Sequence, residues 1–161
     1  MPKILVVGAS GLVGSRFVEL YKEKENLLTP SSSEMDIASA KSVKKYFDNN
    51  NPSIVINFAS YTNVGESEKE RGDKNSLCWK VNVEGAKNIA TEVKESNIFL
   101  IQISSDYVFP ATSDNPGPYN EDDTPESDSK KLTWYGYTKA EAERQIKDIL
   151  EGKFALVRTA Y

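Results

Sequence analysis

Histidine is absent from this chain, and Cys78 is its single cysteine. Without imidazole, Ser-His-Asp and Cys-His catalysis, histidine metal ligation and the usual near-neutral acid-base group are excluded. Proton chemistry must therefore fall to Tyr, Lys or carboxylates. One cysteine excludes an intramolecular disulfide and any multi-cysteine zinc site within one chain, and it points to a reducing compartment. No metal site is expected. Long apolar runs are lacking as well: Ile4 to Val7 is far too short for a signal-peptide core or a membrane span. A cytoplasmic location with no membrane partner is the expectation. Nor is there an excess of charge of one sign, since 20 Lys and Arg against 24 Asp and Glu leave a net charge of -4. A basic groove for nucleic acid or anionic lipid is not indicated.

What is present suits a folded domain. The 161 residues are 39% hydrophobic and 27% charged, enough apolar matter for a core and too little net charge for disorder. That length fits one domain or a piece of a larger protein and excludes most two-domain enzymes.

Lys3 to Val7 is a short, continuously apolar run of the kind found in buried parallel strands. A glycine-spaced turn follows, and Val13, Phe17, Leu20 and Tyr21 then recur at helical spacing. The alternation continues. Leu27 to Thr29 reads as a weak second strand, Val43, Tyr46 and Phe47 as a helix face, and Ile54 to Phe58 as a third strand. Leu77, Val81, Ala86, Ile89, Ala90 and Val93 mark a further helix before the strand Ile98 to Ile103. Ala142, Ile146, Ile149 and Leu150 lie on the last helix, and Phe154 to Val157 closes the series. The pattern predicts a Rossmann-type α/β fold: a doubly wound parallel sheet, wound right-handedly and covered by helices on both faces in three α/β/α layers. One stretch fits no element. Pro110 to Lys131 holds Pro110, Pro116, Pro118 and Pro125 with six acids; a loop of that length is a functional lid or disordered, and it is expected to be mobile without ligand.

Three motifs carry chemistry. Gly8-Ala9-Ser10-Gly11-Leu12-Val13-Gly14 lies directly between a strand and a helix. Glycines there permit a tight turn and let a pyrophosphate approach the positive end of the helix. The spacing is G-x-x-G-x-x-G rather than G-x-G-x-x-G, and a plain tight turn is the competing reading. At the end of the second strand an acid would grip a ribose 2'-hydroxyl and favour NAD. Pro30-Ser31-Ser32-Ser33 supplies none before Glu34, whereas Ser31 and Arg16 are placed to receive a 2'-phosphate. This favours NADP(H) and leaves NAD(H) open, beside the bland reading of a solvated serine loop and a surface arginine.

Tyr135 and Lys139 stand four apart in Tyr135-Gly136-Tyr137-Thr138-Lys139 and share a helix face that Ala142 and Ile146 continue. An ammonium near a phenol lowers the phenol's pKa, which enables proton exchange at neutral pH. Such a pair alone is more often an ordinary amphipathic contact. Corroboration comes from Ser104-Ser105-Asp106-Tyr107, placed just past the strand Ile98 to Ile103, where open parallel sheets bind ligands. Serines there also form turns and caps.

With these motifs the sequence resembles the extended short-chain dehydrogenase/reductase family, and within it the dTDP-4-dehydrorhamnose reductase branch. The resemblance is carried by Gly8 to Gly14, Glu34-Met35-Asp36-Ile37, Val55 to Val64, Val81-Asn82-Val83-Glu84-Gly85, Ile103 to Phe109 and Tyr135 to Lys139. A further block, Val157-Arg158-Thr159-Ala160-Tyr161, is similar to the family's next strand end.

The resemblance implies a role for each matching position. Tyr135 would be the proton donor, Lys139 would hold the nicotinamide ribose, and Ser105 would hydrogen-bond the substrate carbonyl, with Asp106 beside it in the substrate site. Gly8, Ser10, Gly11, Leu12 and Val13 would cradle the pyrophosphate. Asp36 and Ile37 would flank the adenine, and Ala59, Ser60 and Tyr61 would line the dinucleotide. Gly14 and Asn82 would support the site structurally. Departures from the family pattern fall at Gly65, at Pro110-Ala111 and at Ser105, which replaces a threonine common in the reductases. Family members run longer, so the resemblance implies that residues 1–161 would be the NAD(P)-binding domain at the start of a longer chain, with the substrate-domain portion expected beyond residue 161.

The implied function is an NAD(P)H-dependent reductase of a 4-keto deoxysugar nucleotide. A nucleotide-sugar substrate is the expected partner, and a homodimer is allowed. Two other readings stay open. One is a non-catalytic, NADP-binding regulatory subunit, because that of methionine adenosyltransferase resembles the same branch. The other is a sugar-nucleotide epimerase or dehydratase on the same fold.

Overall fold

A computed structural model of the chain describes residues 2–160, so Tyr161, which ends the last block quoted above, lies outside the described residues. Five strands form one parallel sheet: β1 (Lys3–Val7), β2 (Asn26–Leu28), β3 (Ile54–Asn57), β4 (Phe99–Ser105) and β5 (Phe154–Thr159). Their order is β2-β1-β3-β4-β5. The chain steps outward from β1 to β2, returns past β1 to β3 and continues to β5, so the switch point lies between β1 and β3. In open parallel sheets the crevice at the strands' carboxyl ends at such a point takes the ligand.

The connecting helices are α1 (Leu12–Tyr21), α2 (Ala40–Asn50), α3 (Val64–Lys69), α4 (Leu77–Trp79), a π-helical turn over Lys80–Glu84, α5 (Gly85–Glu95) and α6 (Trp134–Ile149). Local chemistry fixes their ends. The Ser39 hydroxyl accepts from the Ser42 N–H at the start of α2, and Asn51 closes that helix in the left-handed region, φ 49°, with its N–H on Phe47. The Thr133 hydroxyl accepts from Gly136 N–H at the start of α6.

The largest core cluster lies on one side of the sheet, while Val6 and Ile56 are buried on the other. Leu5, Val7, Val55 and Leu100 point into that cluster from the strands, meeting Val43 and Phe47 of α2, Ile89 and Val93 of α5, and Ala142 and Ile146 of α6. Right-handed crossovers place α1 on the opposite face, where the Phe17 ring packs tilted against Phe58 with ring centroids 5.5 Å apart. Coverage there is thinner than the periodicity of α1 predicts. Gly14 is buried, but Leu12, Val13, Leu20 and Tyr21 are exposed, and so are Phe99 and Val157 on β4 and β5. Ile101 and Ile103 of β4, on the same face, are half-buried.

The loop expected to be mobile is tied down by two arginines, one at its middle and one at its C-terminal end. Arg158 donates to the carbonyls of Glu121 and Asp123 at 3.1 and 3.3 Å. Arg71, held by both oxygens of Glu68, donates to those of Ser129 and Leu132 at 2.7 and 2.9 Å. In the loop itself, Tyr119 stacks on Phe109 with centroids 4.2 Å apart.

Candidate active site

A cleft of about 620 Å³ opens at the carboxyl ends of β1 and β3. One wall is the turn from Gly8 to Gly14, of which Gly8, Ser10, Gly11, Leu12 and Val13 line the cleft, together with Gly14. The turn needs its glycines for close approach. Gly8 has φ +75°, and a Cβ there would lie 2.6 Å from the Ala59 nitrogen; a Cβ on Gly14 would run into the Gly8 carbonyl. Met35, Asp36 and Ile37 form the opposite wall, and Ala59, Ser60, Thr62 and Val81 the inner end. Volume and apolar lining fall in the range of small-molecule sites.

Two residues expected at the ribose are engaged elsewhere. The Ser31 hydroxyl and N–H both donate to the Glu34 carboxylate, at 2.7 and 2.8 Å, bonds that hold that carboxyl below its usual range. Arg16 pairs with Glu19 at 2.5 Å on the exposed side of α1. Pro30 and Ser32, not Ser31, line the cleft at that corner. Tyr61 also departs from its expected place: its ring packs against the cluster of Cys78, Trp79, Val83 and Trp134 rather than lining the cleft.

Asn82 joins the inner end of the cleft to α6. Its Oδ1 accepts from Ser60 Oγ at 3.1 Å and from the Tyr61 N–H at 2.7 Å; its Nδ2 donates to Thr138 Oγ1 at 2.9 Å. A buried amide pair, Asn57 Nδ2 donating to Gln102 Oε1 at 2.9 Å, ties β3 to β4 beneath the same edge. Neither Asn57 nor Gln102 stands out in sequence, where each looks like one polar residue interrupting an apolar run.

Next to Thr138, Lys139 is 4% exposed and its Nζ donates to the Ile103 carbonyl at 2.8 Å. Burial pushes its ammonium down to about 8, against the pull of the negative charges of Glu143 and of an ionised Cys78. The strand runs two residues further than the apolar pattern predicts: Ser104 and Ser105 are its last members, paired with Arg158 and Thr159 of β5. Ser105 Oγ donates to Asp106 Oδ1 at 3.1 Å and accepts from the Tyr107 N–H at 3.2 Å, the capping arrangement that competes with a substrate-binding reading. Asp106 itself is exposed.

Tyr135 is half-buried in the first turn of α6, its ring edge-on to Tyr107 with centroids 5.7 Å apart. Gly136 makes this approach feasible, since a Cβ at that position would collide with the Tyr107 carbonyl. The close contact of α6 with the turn after β4 is what the glycine between the two tyrosines of the motif provides, a role that spacing alone does not disclose.

Residues 2–161 match the family described as RmlD substrate binding domain. The chain belongs to that family. Among proteins similar to this RmlD-family chain, the dTDP-4-dehydrorhamnose reductase of Streptomyces griseus is 32% identical over 161 residues, covering 99% of this chain and 50% of that protein. The methionine adenosyltransferase 2 subunit beta of Xenopus tropicalis is 30% identical over 164 residues, with 96% and 45% covered. A solved structure of dTDP-4-dehydrorhamnose reductase from Bacillus anthracis in complex with NADP superposes with a TM-score of 0.85 at 30% identity, covering 98% of this chain and 52% of that one. The chain thus spans about half the length of the relatives it matches. Among the described residues no helix is long and apolar enough to cross a membrane.

Proposed function

We propose that this RmlD-family chain is the cofactor-binding part of an NADP(H)-dependent reductase acting on the 4-keto group of a nucleotide-linked deoxysugar. The observation that supports this best is the placement of Lys139: a lysine 4% exposed, bonded to the end of β4 and one residue from the Thr138–Asn82–Ser60 chain that leads into the glycine-walled cleft. A buried lysine at the reactive edge of a parallel sheet has a chemical use there.

The residues present fit a dinucleotide. The absence of side chains at Gly8 and Gly14 lets the turn pack against Ala59 and against its own backbone, which brings the start of α1 to the edge of a cleft large enough for a nucleotide half. Gly11, Leu12 and Val13 would hold the pyrophosphate at the α1 N-terminus, Asp36 and Ile37 the adenine, and Lys139 the ribose of the nicotinamide. For a 2'-phosphate, Ser31 and Arg16 would have to leave Glu34 and Glu19. When bound, the cofactor supplies the hydride. The chain supplies the proton. Tyr135 donates it to the sugar oxygen as negative charge develops there, Ser105 turns its hydroxyl from Asp106 to that oxygen, and Lys139 places a fixed positive charge one helical turn away.

A second reading keeps the cofactor cleft and drops the turnover. The Xenopus tropicalis relative supports it, because that protein is named as a subunit of another enzyme. NADPH consumption by the full-length protein that carries this cofactor-binding part, with a dTDP-linked 4-keto-6-deoxyhexose, separates the two. Turnover in the wild type supports the reductase, whereas NADPH binding with no turnover favours the regulatory subunit.

A further inference from the structure

Behind Lys139 lies an ion pair that the proposed reaction does not use. Glu143 stands one turn after Lys139 on α6 and is 1% exposed. Its Oε2 accepts from Arg158 Nη2 at 2.8 Å, and its Oε1 accepts both from Arg158 Nε at 3.0 Å and from Ser104 Oγ at 2.6 Å. The bidentate fork leaves the carboxylate fully hydrogen-bonded. Arg158 Nη1 reaches the other way, to the Glu121 and Asp123 carbonyls of the long loop, and its guanidinium lies 5.1 Å from the Phe109 ring centre. Because β4 and β5 pair Ser104 with Arg158, the network is built into the sheet register.

We propose that Glu143 and Arg158 are positioning residues for the Tyr135–Lys139 site: Glu143 provides the anion that keeps the buried Lys139 ammonium charged, and Arg158 holds that anion while fastening the loop over the strand end. The inference rests on the reductase reading for its purpose, but not for its measurement. A buried ammonium without a countercharge gives up its proton. The groups acting on Lys139 are few. Glu143 faces it from its own helix, Cys78 from α4, and the Ile103 carbonyl from β4. Cys78 is itself buried and its thiol is pushed up, first by that burial, so near neutral pH it is uncharged and gives little support. Glu143 is then the anion that counts. Arg158 faces Glu143 from β5, and Asp123 of the loop adds its own negative charge beside that arginine. Glu126, Arg144 and Lys147 line a neighbouring pocket of about 390 Å³ together with Glu143.

The test is a titration of Lys139 in the ligand-free protein by NMR of labelled lysine, with no substrate present. The wild type should titrate near 8. A wild-type midpoint of about 5–6, the range of a buried lysine with no countercharge, would overturn the proposal. In Glu143→Gln the midpoint should fall by about one unit or more, and the alkaline limb of the pH–rate profile should move down with it. Should that variant not fold, the paired replacement Glu143→Leu with Arg158→Met fills the same space with apolar side chains and should give a downward shift that is smaller, because the Arg158 cation leaves together with the anion. A folded variant of either kind whose Lys139 midpoint and pH profile stay where they are would show a purely structural pair and overturn the proposal. Absence of reductase turnover in the wild type would defeat the reductase reading and leave the Lys139 titration standing.

Discussion

The Lys139 Nζ donates to the Ile103 carbonyl at 2.8 Å, so the ammonium of α6 is fixed to the strand whose next two residues are Ser104 and Ser105. A side chain held this way cannot turn out to water when it is charged. Its burial therefore acts on stability as well as on chemistry.

Lys139 should make the protein's stability rise with pH in the window from about 8 to the ordinary lysine value of 10.5. Between those values the unfolded chain carries the proton and the folded chain does not, so raising the pH favours folding by about 1.4 kcal/mol per unit. Below about 8 both states are protonated and the dependence vanishes. Chemical denaturation of wild type and Lys139→Met across this range should show the difference in stability growing in favour of the wild type above pH 8. A difference that stays flat from pH 8 to 10.5 would place the Lys139 ammonium in water.

Gly11 and Gly14 should separate binding from folding. Gly11 is exposed and lines the cleft, and a Cβ there would sit 3.3 Å from the Gly8 carbonyl, a contact that a small shift relieves. Gly11→Leu should weaken NADPH binding by more than tenfold while the melting temperature moves little. Gly14→Ala should instead destabilise the fold by about 1–3 kcal/mol, because its methyl group enters the backbone of the turn. Isothermal titration and thermal melts distinguish the two, and equal losses of stability would argue against the assignment.

The glycine turn, the strand-end serines and the Tyr135–Lys139 pair are legible in the sequence because each rests on local spacing. A strand, a turn and a helix face repeat over a few residues, and chemistry at their ends follows from the topology. What escapes is made by contacts between distant segments. Asn57 meets Gln102 across 45 residues, and Glu143 meets Arg158 only because β5 lies beside α6. Helix α3 escapes for a different reason: it is short and polar, buries Ser67, and depends on the Asn63 cap. The apolar face of α1 is legible as a face, but periodicity cannot say whether other elements cover it, and Leu20 and Tyr21 remain exposed. Arg16 and Ser31 were within reach of the ribose by position; their neighbours Glu19 and Glu34 engage them instead.

Arg71 should hold the end of the long loop against α3. Arg71→Ala removes donors to the Ser129 and Leu132 carbonyls and frees Glu68, which also accepts from the Trp134 N–H at the start of α6. Amide exchange over residues 126–134 should quicken by about tenfold, while exchange in β1 and β3 is unchanged. Uniform exchange in the variant and the wild type would show that the loop is held by other contacts.

The thinly covered sheet face should be sticky in the 161-residue polypeptide. Phe99 and Val157 are 39% and 41% exposed on neighbouring strands, where a parallel sheet is ordinarily covered. The polypeptide should bind a hydrophobic dye, and Phe99→Ser with Val157→Thr should reduce the signal by half or more. Dye binding unaffected by both changes would place the exposed apolar surface elsewhere.

The measurement that bears most directly on the reductase reading is NADPH consumption by the full-length protein that carries this cofactor-binding part, with a dTDP-linked 4-keto-6-deoxyhexose, compared between wild type and Tyr135→Phe. Loss of a positioned proton donor lowers rates by about 10²- to 10⁴-fold. Tyr135→Phe should lose activity by that order with NADPH affinity kept, and Lys139→Met should lose both. Full activity in Tyr135→Phe would contradict the assignment of the proton donor, and a wild type that binds NADPH yet turns over no keto sugar would contradict the reductase itself.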